Sequence, residues 1–177
     1  MNEQTQQQQE EHIIIDLDNL MLPKCRFEVV SSYKDKHIKL PTRKTSGSAG
    51  YDIEAAEDVI IKPHSSTAVP TGIKAYMDEC LVLKIYIRSS LAFKQGLMLT
   101  NSTGIIDSDF YNNEDNEGHI LVGLYNTTDK EISIKKGERI AQGIFEAYIV
   151  TEDDAEQEKE VRIGGIGSTG KYYVILN

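Results

Sequence analysis

One carboxylate in this sequence directly follows a short apolar segment. Asp107 comes after Gly104–Ile106, whose residue types are typical of a β-strand. The end of a strand holds a side chain in one place, so this carboxylate could orient a water molecule and deprotonate it for attack on phosphorus. For the segment taken alone, a turn in which Asp107 caps Ser108 and Asp109 is the favoured interpretation.

A cation and a hydroxyl group stand side by side at the end of another segment. Within residues 81–88, the side chains from Leu83 to Arg88 alternate between apolar and polar, which is the pattern of a half-buried strand with Arg88 on its polar face. The Arg88 guanidinium and the Ser89 hydroxyl could both donate hydrogen bonds to phosphate oxygens. Without further motifs, a solvated arginine at a strand end explains the pair better.

A glycine-rich segment near the C-terminus could bind an oxyanion. Residues 164–170 contain four glycines and the hydroxyl groups of Ser168 and Thr169, and Arg162 precedes them. Glycine lets backbone N–H groups approach a ligand closely. The segment also fits the pattern GxxxxGK, but Tyr172 stands where a P-loop needs Ser or Thr, so we reject a P-loop. Taken alone, the segment is better explained as a flexible tail.

The elements that must position these residues are short and strand-like. Apolar segments with a period of two are separated by Gly, Pro, Asn or Asp, and no segment sustains a helical period. One short helical turn is expected over residues 89–94, before Gly96. The pattern predicts an all-β domain, either a sandwich, a jelly roll or a small barrel. The predicted strands are 27–30, 59–62, 67–69, 73–76, 81–88, 104–106, 120–125, 132–134 and 140–148.

Length and composition indicate a single globular domain. The chain has 177 residues, of which 40% are hydrophobic and 27% are charged. No apolar run approaches the roughly 20 residues of a membrane-spanning helix, and the polar start differs from a secretory signal, so we expect a cytoplasmic protein that binds no membrane. The formal charge of −9 argues against binding nucleic acid. Cys25 and Cys80 are expected to be reduced, partly buried thiols.

Charge and residue type divide the chain into four parts. Residues 1–22 form a polar extension that we expect to be at least partly disordered, and residues 23–150 form the β domain. Residues 151–161 are rich in acids and should act as a flexible tether, because they have few apolar side chains to offset the entropy cost of ordering. Residues 162–177 form the glycine-rich arm. The four histidines have no metal-binding spacing and are expected to be non-functional.

Five segments, in chain order, closely resemble the five motifs of the trimeric dUTPases. They are residues 48–53, 88–96, 101–109, 137–142 and 164–170, and the resemblance spans about residues 24–170. It implies a distorted β jelly roll and a homotrimer whose active sites are shared between subunits. It also implies hydrolysis of dUTP to dUMP and pyrophosphate in the presence of Mg2+.

The resemblance implies a role for each matching residue. Asp107 would be the catalytic carboxylate, and Asp52 would hold a hydrated Mg2+ indirectly, through water. The residues expected to bind the phosphates are Arg88, Ser89, Ser90, Gln142, Arg162, Ser168 and Thr169. Those expected to bind uracil and deoxyribose are Asn101, Gly104, Ile105, Ile106, Phe110 and Ile166.

The chain departs from the family pattern at three places. Phe110 replaces the tyrosine that stacks on the sugar, and Ile166 replaces a phenylalanine that stacks on uracil, which should weaken binding by about 0.5–1.5 kcal/mol. Arg162 lies one residue closer to that position than is usual. Residues 112–118 replace a short turn with a longer polar hairpin tip, which could contact a protein partner.

Two alternative functions remain open at this point. A dCTP deaminase-related enzyme would share the fold, although the Ile-Asp-Ser-Asp segment and the glycine-rich arm favour the hydrolase. A regulatory, nucleotide-dependent protein-binding module would keep the pocket and contact its partner through the hairpin tip or the acidic tether.

Overall fold

Short antiparallel strands account for most of the regular structure. A computed structural model describes residues 22–154, 157–159, 162 and 164–165. Its strands are β1 (Cys25–Val29), β2 (Tyr51–Glu54), β3 (Val59–Ile61), β4 (Ser66–Pro70), β5 (Ile73–Met77), β6 (Leu81–Ile87), β7 (Leu97–Leu99), β8 (Gly104–Ile106), β9 (Leu121–Asn126), β10 (Ile132–Ile134) and β11 (Arg139–Ala147). One α-helix, α1 (Ser89–Gln95), and two short 3-10 turns complete the described part of the chain.

The strands pair into four sheets. The largest has the order β2-β11-β6-β8, and a second has the order β4-β9-β7. The strands β1 and β5 form one two-stranded sheet, and β10 and β3 form another. All the pairings are antiparallel, which confirms the all-β prediction.

The inward faces of all four sheets bury one continuous apolar core. Strand β6 shows how the sequence produces it, because Leu83 and Ile85 are buried while Lys84 and Tyr86, which follow each of them, remain partly exposed. Such alternation points every second side chain to the same face of a sheet. The fully buried members include Ile53, Ile61, Val69, Leu83, Leu124, Ile134 and Ile140.

The nine predicted strands are all present, and two others were missed. Strands β2 and β7 have four and three residues, which is too short for an alternating pattern to stand out. Tyr51 and Asp52, at the start of β2, pair with β11.

The predicted helical turn after β6 is confirmed as α1. Gly96 ends it in the left-handed conformation, with φ of 67°, and its N–H donates to the Leu91 carbonyl. Glycine adopts this conformation without strain. The helix therefore fixes Ser89 and Ser90 immediately beyond the end of β6.

Two sequence predictions are wrong. Cys25 and Cys80 are free but exposed, rather than partly buried. Residues 112–118 are not a hairpin tip, because the preceding strand β8 and the following strand β9 belong to different sheets. They form a closed loop that connects the two sheets. The predictions for residues 1–21, Ile166, Ser168 and Thr169 lie outside the described residues.

The described part of the chain contains no helix that is long and apolar enough to cross a membrane. The acidic segment predicted to be a tether begins with a local turn, in which the Asp154 N–H donates to the Thr151 carbonyl. Lys159 then folds back to within 2.7 Å of the Asp154 carboxylate. These contacts do not test its predicted flexibility.

Candidate functional site

A cavity of about 450 Å³ opens where the two larger sheets separate. Strands β6 and β8 form one wall, and β4, β7 and β9 form the other. The cavity is lined by Ala68, Ile85, Leu99, Thr100, Asn101, Gly104, Ile105, Ile106, Asp107, Phe110, Ile120, Leu121, Val122, Gly123 and Arg162. It thus brings together Asp107 and every described residue that was predicted to bind uracil and deoxyribose.

Asp107 points into this cavity from the end of β8. It is the N-cap residue that precedes the 3-10 turn Ser108–Phe110, but its side chain makes no capping hydrogen bond there. Its carboxylate is about half exposed and accepts a hydrogen bond of 2.7 Å from Arg162 Nη2. The alternative interpretation of Asp107 as a turn-capping residue is therefore wrong.

Arg162 joins two carboxylates. Its Nη2 lies 2.7 Å from Asp107 Oδ2, and its Nε lies 2.7 Å from Asp109 Oδ1. Only 11% of the Arg162 side chain is exposed, and its guanidinium carbon lies 5.9 Å from the centre of the Phe110 ring. Hydrogen bonds between charged groups are stronger than neutral ones, so this arrangement holds Arg162 at the catalytic candidate.

The cavity has apolar walls and one polar edge. Phe110 is 6% exposed and Ile120 is 1% exposed, so both present buried hydrocarbon. A Cβ atom at Gly104 would lie only 3.0 Å from the Ile85 Cβ, which explains why a glycine lies opposite Ile85 where β8 pairs with β6. Among the described strands β8 pairs with β6 alone, so its other edge can offer main-chain donors and acceptors to a planar base.

A second pocket, of about 280 Å³, collects the cationic and hydroxyl groups. Its lining includes three cations and three hydroxyls but one carboxylate, a balance that suits an anionic ligand. The lining residues are Lys44, Ser48, Gly50, Asp52, Arg88, Ser89, Ser90, Arg139 and Gln142. The pocket contains every described residue that was predicted to bind phosphate, except Arg162.

Asp52 organises the arginines of the second pocket. Its Oδ2 accepts a hydrogen bond of 2.8 Å from Arg139 Nη1, and its Oδ1 lies 3.4 Å from Arg88 Nε. The Asp52 side chain is 14% exposed. A mostly buried carboxylate between two guanidinium groups restricts where both can point, so Asp52 sets the geometry of the cationic surface.

Strand pairing brings these residues together from distant parts of the sequence. Gln142 on β11 lies opposite Asp52 on β2 and opposite Tyr86 on β6. Gly50 lies close beside this register, since a Cβ atom there would lie 2.5 Å from Gln142 Oε1. Any larger residue at position 50 would make the Gln142 side chain shift.

Four lining residues of the second pocket were not among the predicted site residues, and they are Lys44, Ser48, Gly50 and Arg139. Lys44 stands four residues before the first motif, where its charge beside Ser48 was the only available signal. The pairing of Arg139 with Asp52 joins positions that are 87 residues apart, and no local pattern could have indicated it.

The two pockets of one chain share no lining residue. Asp107 and Arg162 line the first pocket, whereas Arg88 and Gln142 line the second. Arg162, which was predicted to bind phosphate, thus lies with the catalytic candidate in this chain and not with the cationic cluster.

Comparison with known proteins identifies the relatives of this chain. Residues 36–170 match the family model described as dUTPase. The deoxyuridine 5'-triphosphate nucleotidohydrolase of Lactococcus lactis is 54% identical over 144 residues, covering 81% of this chain and 96% of that protein. The protein of the same name from Helicobacter pylori is 38% identical over 134 residues, covering 74% of this chain and 88% of that protein.

A solved structure supports the fold. The crystal structure of dUTPase from Streptococcus mutans matches with a TM-score of 0.69 and 43% sequence identity. The match covers 72% of this chain and 98% of that chain. The predicted fold class is therefore confirmed.

Proposed function

Because this chain belongs to the dUTPase family, we propose that it hydrolyses dUTP to dUMP and pyrophosphate. The observation that supports this most is the position of Asp107, a half-exposed carboxylate at the mouth of an apolar cavity with a main-chain edge. The family relationship also argues against the alternative of a dCTP deaminase-related enzyme.

Asp107 is the proposed base. It would accept a proton from a water molecule while the water oxygen attacks the α-phosphorus, and the bond to the β-phosphate oxygen would break as pyrophosphate leaves. Arg88, Ser89, Ser90 and Gln142 would hold the phosphate oxygens by donating hydrogen bonds. Asp52 would keep Arg88 pointed toward them.

The first cavity would select the base and the sugar. Main-chain groups of β8 would pair with the uracil N3–H and O4, and the close walls would leave no space for the 5-methyl group of thymine. Cytosine would leave donors and acceptors unpaired, at a cost of roughly 1–3 kcal/mol each. The buried ring of Phe110 would exclude a ribose 2'-hydroxyl by volume.

The donor set of the second pocket fits a magnesium ion that arrives with the nucleotide. Within the described residues, no group of three or more His, Cys, Asp and Glu side chains could hold a metal by itself. Mg2+ usually keeps several waters and binds through substrate phosphates and one or two carboxylates. Among the described residues, Asp52 is the one carboxylate that lines this pocket, and it would contact the ion through water. When bound, Mg2+ would neutralise charge on the phosphate oxygens.

A homotrimer would bring the two pockets together. One chain separates Asp107 from the cationic cluster, so a complete site requires the first pocket of one subunit to face the second pocket of another. Closed symmetric oligomers repeat such a contact at every interface. The predicted cytoplasmic location and the predicted protein partner at residues 112–118 stay predictions.

A substrate panel tests the proposed function. The purified protein is incubated with dUTP, dTTP, dCTP or UTP in the presence of magnesium, and pyrophosphate is quantified. We expect release from dUTP at a rate at least ~100-fold above the other three, because each lacks a contact or clashes with the cavity. Ammonia release from dCTP would instead indicate a deaminase. If no nucleotide were turned over, the alternative function of a regulatory binding module would be favoured.

A further inference from the structure

Residues 42–48 form a loop beside the second pocket, and its own side chains hold its shape. Arg43 Nη1 donates hydrogen bonds to the carbonyls of Ser46 and Ser48, each at 3.0 Å. The hydroxyl oxygens of Thr45 and Ser48 lie 2.8 Å apart, and the Ser48 N–H donates to the Thr45 carbonyl at 3.2 Å. These bonds close the loop on itself, so its backbone has a defined path.

Asp52 ties this loop to the second pocket. Its N–H donates to the Thr42 carbonyl at 3.0 Å, and the two residues form a β-bridge. Its carboxylate contacts both arginines of the pocket. Lys44 follows Thr42 by two positions and lines the pocket together with Ser48. One aspartate therefore helps to place both arginines and the start of the loop that carries Lys44.

Lys44 adds a positive charge that no carboxylate in the described part of the chain balances. Arg139 and Arg88 share Asp52, at distances of 2.8 and 3.4 Å. Lys44 is exposed, and none of the described carboxylates forms an ion pair with its ammonium group. A cation in this situation attracts the most negative part of an anionic ligand.

The terminal phosphate of a nucleoside triphosphate matches this charge. A terminal phosphate carries about −1.5 to −2 charges at pH 7, since its second pKa is about 6, whereas the inner phosphates have no second ionisation. Arginine binds phosphate in a fixed fork, which suits the inner phosphates that must be held in one geometry for the reaction. Lysine binds phosphate as a compact point charge and needs no fixed geometry.

We propose that Lys44, which lies outside the five motif segments, is a further phosphate-binding residue that pairs with the terminal phosphate of dUTP. The proposal rests on the proposed function for the identity of the nucleotide. It gives the second pocket a preference for the triphosphate over the product, because dUMP has no phosphate beyond the one that is joined to the sugar. Lys44 therefore helps to hold the substrate without holding the product.

Binding of a non-hydrolysable analogue tests this role without reference to turnover. Isothermal titration calorimetry of the full chain with magnesium would measure the Kd of α,β-imido-dUTP and of dUMP. Lys44→Ala should weaken binding of the analogue about tenfold, because a charge-assisted hydrogen bond is lost, and should change the Kd of dUMP by less than about twofold. Lys44→Arg keeps the charge and should bind the analogue within about threefold of the parent protein.

Lys62→Ala is the matched control, since Lys62 is an exposed lysine that lines neither pocket. This variant should bind both nucleotides as the parent protein does. The melting temperature of Lys44→Ala should equal that of the parent protein, because the side chain is exposed. Unchanged binding of the analogue by Lys44→Ala, an equal loss of dUMP binding, or an equal loss in the control would overturn the proposal.

Kinetics with dUTP separate this proposal from the proposed function. Lys44→Ala should raise KM about tenfold and change kcat by less than about threefold, because the lost contact is made equally in the ground state and the transition state. A lower kcat with an unchanged KM would overturn the binding role. A parent protein that bound the analogue but did not hydrolyse dUTP would refute the proposed function, while the Kd values would still decide the role of Lys44.

Discussion

At the scale of the residue, two aspartates predicted from the sequence lie in contrasting surroundings. Asp107 is about half exposed and is contacted by one arginine, whereas Asp52 is 14% exposed and is contacted by two. A carboxylate with free access to solvent can accept a proton from water. One held between two guanidinium groups orients them and is poorly placed to take a proton from the attacking water. This contrast supports the proposal that Asp107 takes part in the chemical step and that Asp52 has a supporting role.

Substituting Asp107→Asn should lower kcat for dUTP by at least ~100-fold, because it removes the proton acceptor and changes little volume. Thermal unfolding should shift little. Asp109→Asn is the comparison, since it removes the other carboxylate that contacts Arg162, and it should lower kcat far less. Turnover by Asp107→Asn at the parent rate would show that another group activates the water.

At the scale of the element, one ion pair joins the inserted loop to strand β5. The Lys74 ammonium and the hydrogen bonds from Ser31 lower the pKa of Glu117 from 4.5 to about 2. The folded state therefore resists protonation of this carboxyl group. Its stabilising contribution is fully present above pH 4.5 and is lost as the pH falls toward 2.

The substitution Glu117→Gln should reduce the free energy of unfolding at pH 7 by about 1–3 kcal/mol, because the buried Lys74 ammonium loses its charged partner. Urea titrations at pH 7 and pH 3 would measure this. The parent protein should lose more stability between the two pH values than the variant does. Glu114→Gln, on the same loop, should match the parent protein at both, and equal stability of Glu117→Gln and parent would exclude a structural role for the ion pair.

At the scale of the whole molecule, no single pocket of one chain contains all the described residues of the proposed active site. The catalytic candidate and the cationic cluster line separate pockets. Large apolar side chains also remain exposed, among them Phe93 at 90%, Ile105 at 53% and Ile149 at 97%. Exposed apolar groups of this size are typical of contact surfaces between proteins. Both features are expected if the subunits assemble into shared sites.

Mixing two inactive variants should therefore restore activity. Asp107→Asn and Arg88→Ala subunits are each expected to be inactive alone, but in co-expressed trimers some sites would combine an intact Asp107 with an intact Arg88 from the neighbour. Random assembly should restore about a quarter of the parent activity. A co-expressed mixture as inactive as its components would show that each chain builds its own site. Light scattering would confirm the trimer.

The amino-acid sequence by itself determined nine of the eleven described strands, the helical turn at Ser89 and the family. These follow from local signals, since alternation, turn residues and motif order are properties of neighbouring positions. The short strand β2 was not predicted, because it is defined by its pairing with β11 rather than by a local pattern.

Only the tertiary structure decided how the motifs are grouped. It separated Asp107 from the phosphate cluster, joined Asp52 to Arg139 and brought Gly165 to Asp115. Both contacts link positions that are at least 50 residues apart. A sequence pattern records the residue types along the chain, but the distance between two side chains depends on how the sheets pair and pack, and that is fixed by the fold as a whole.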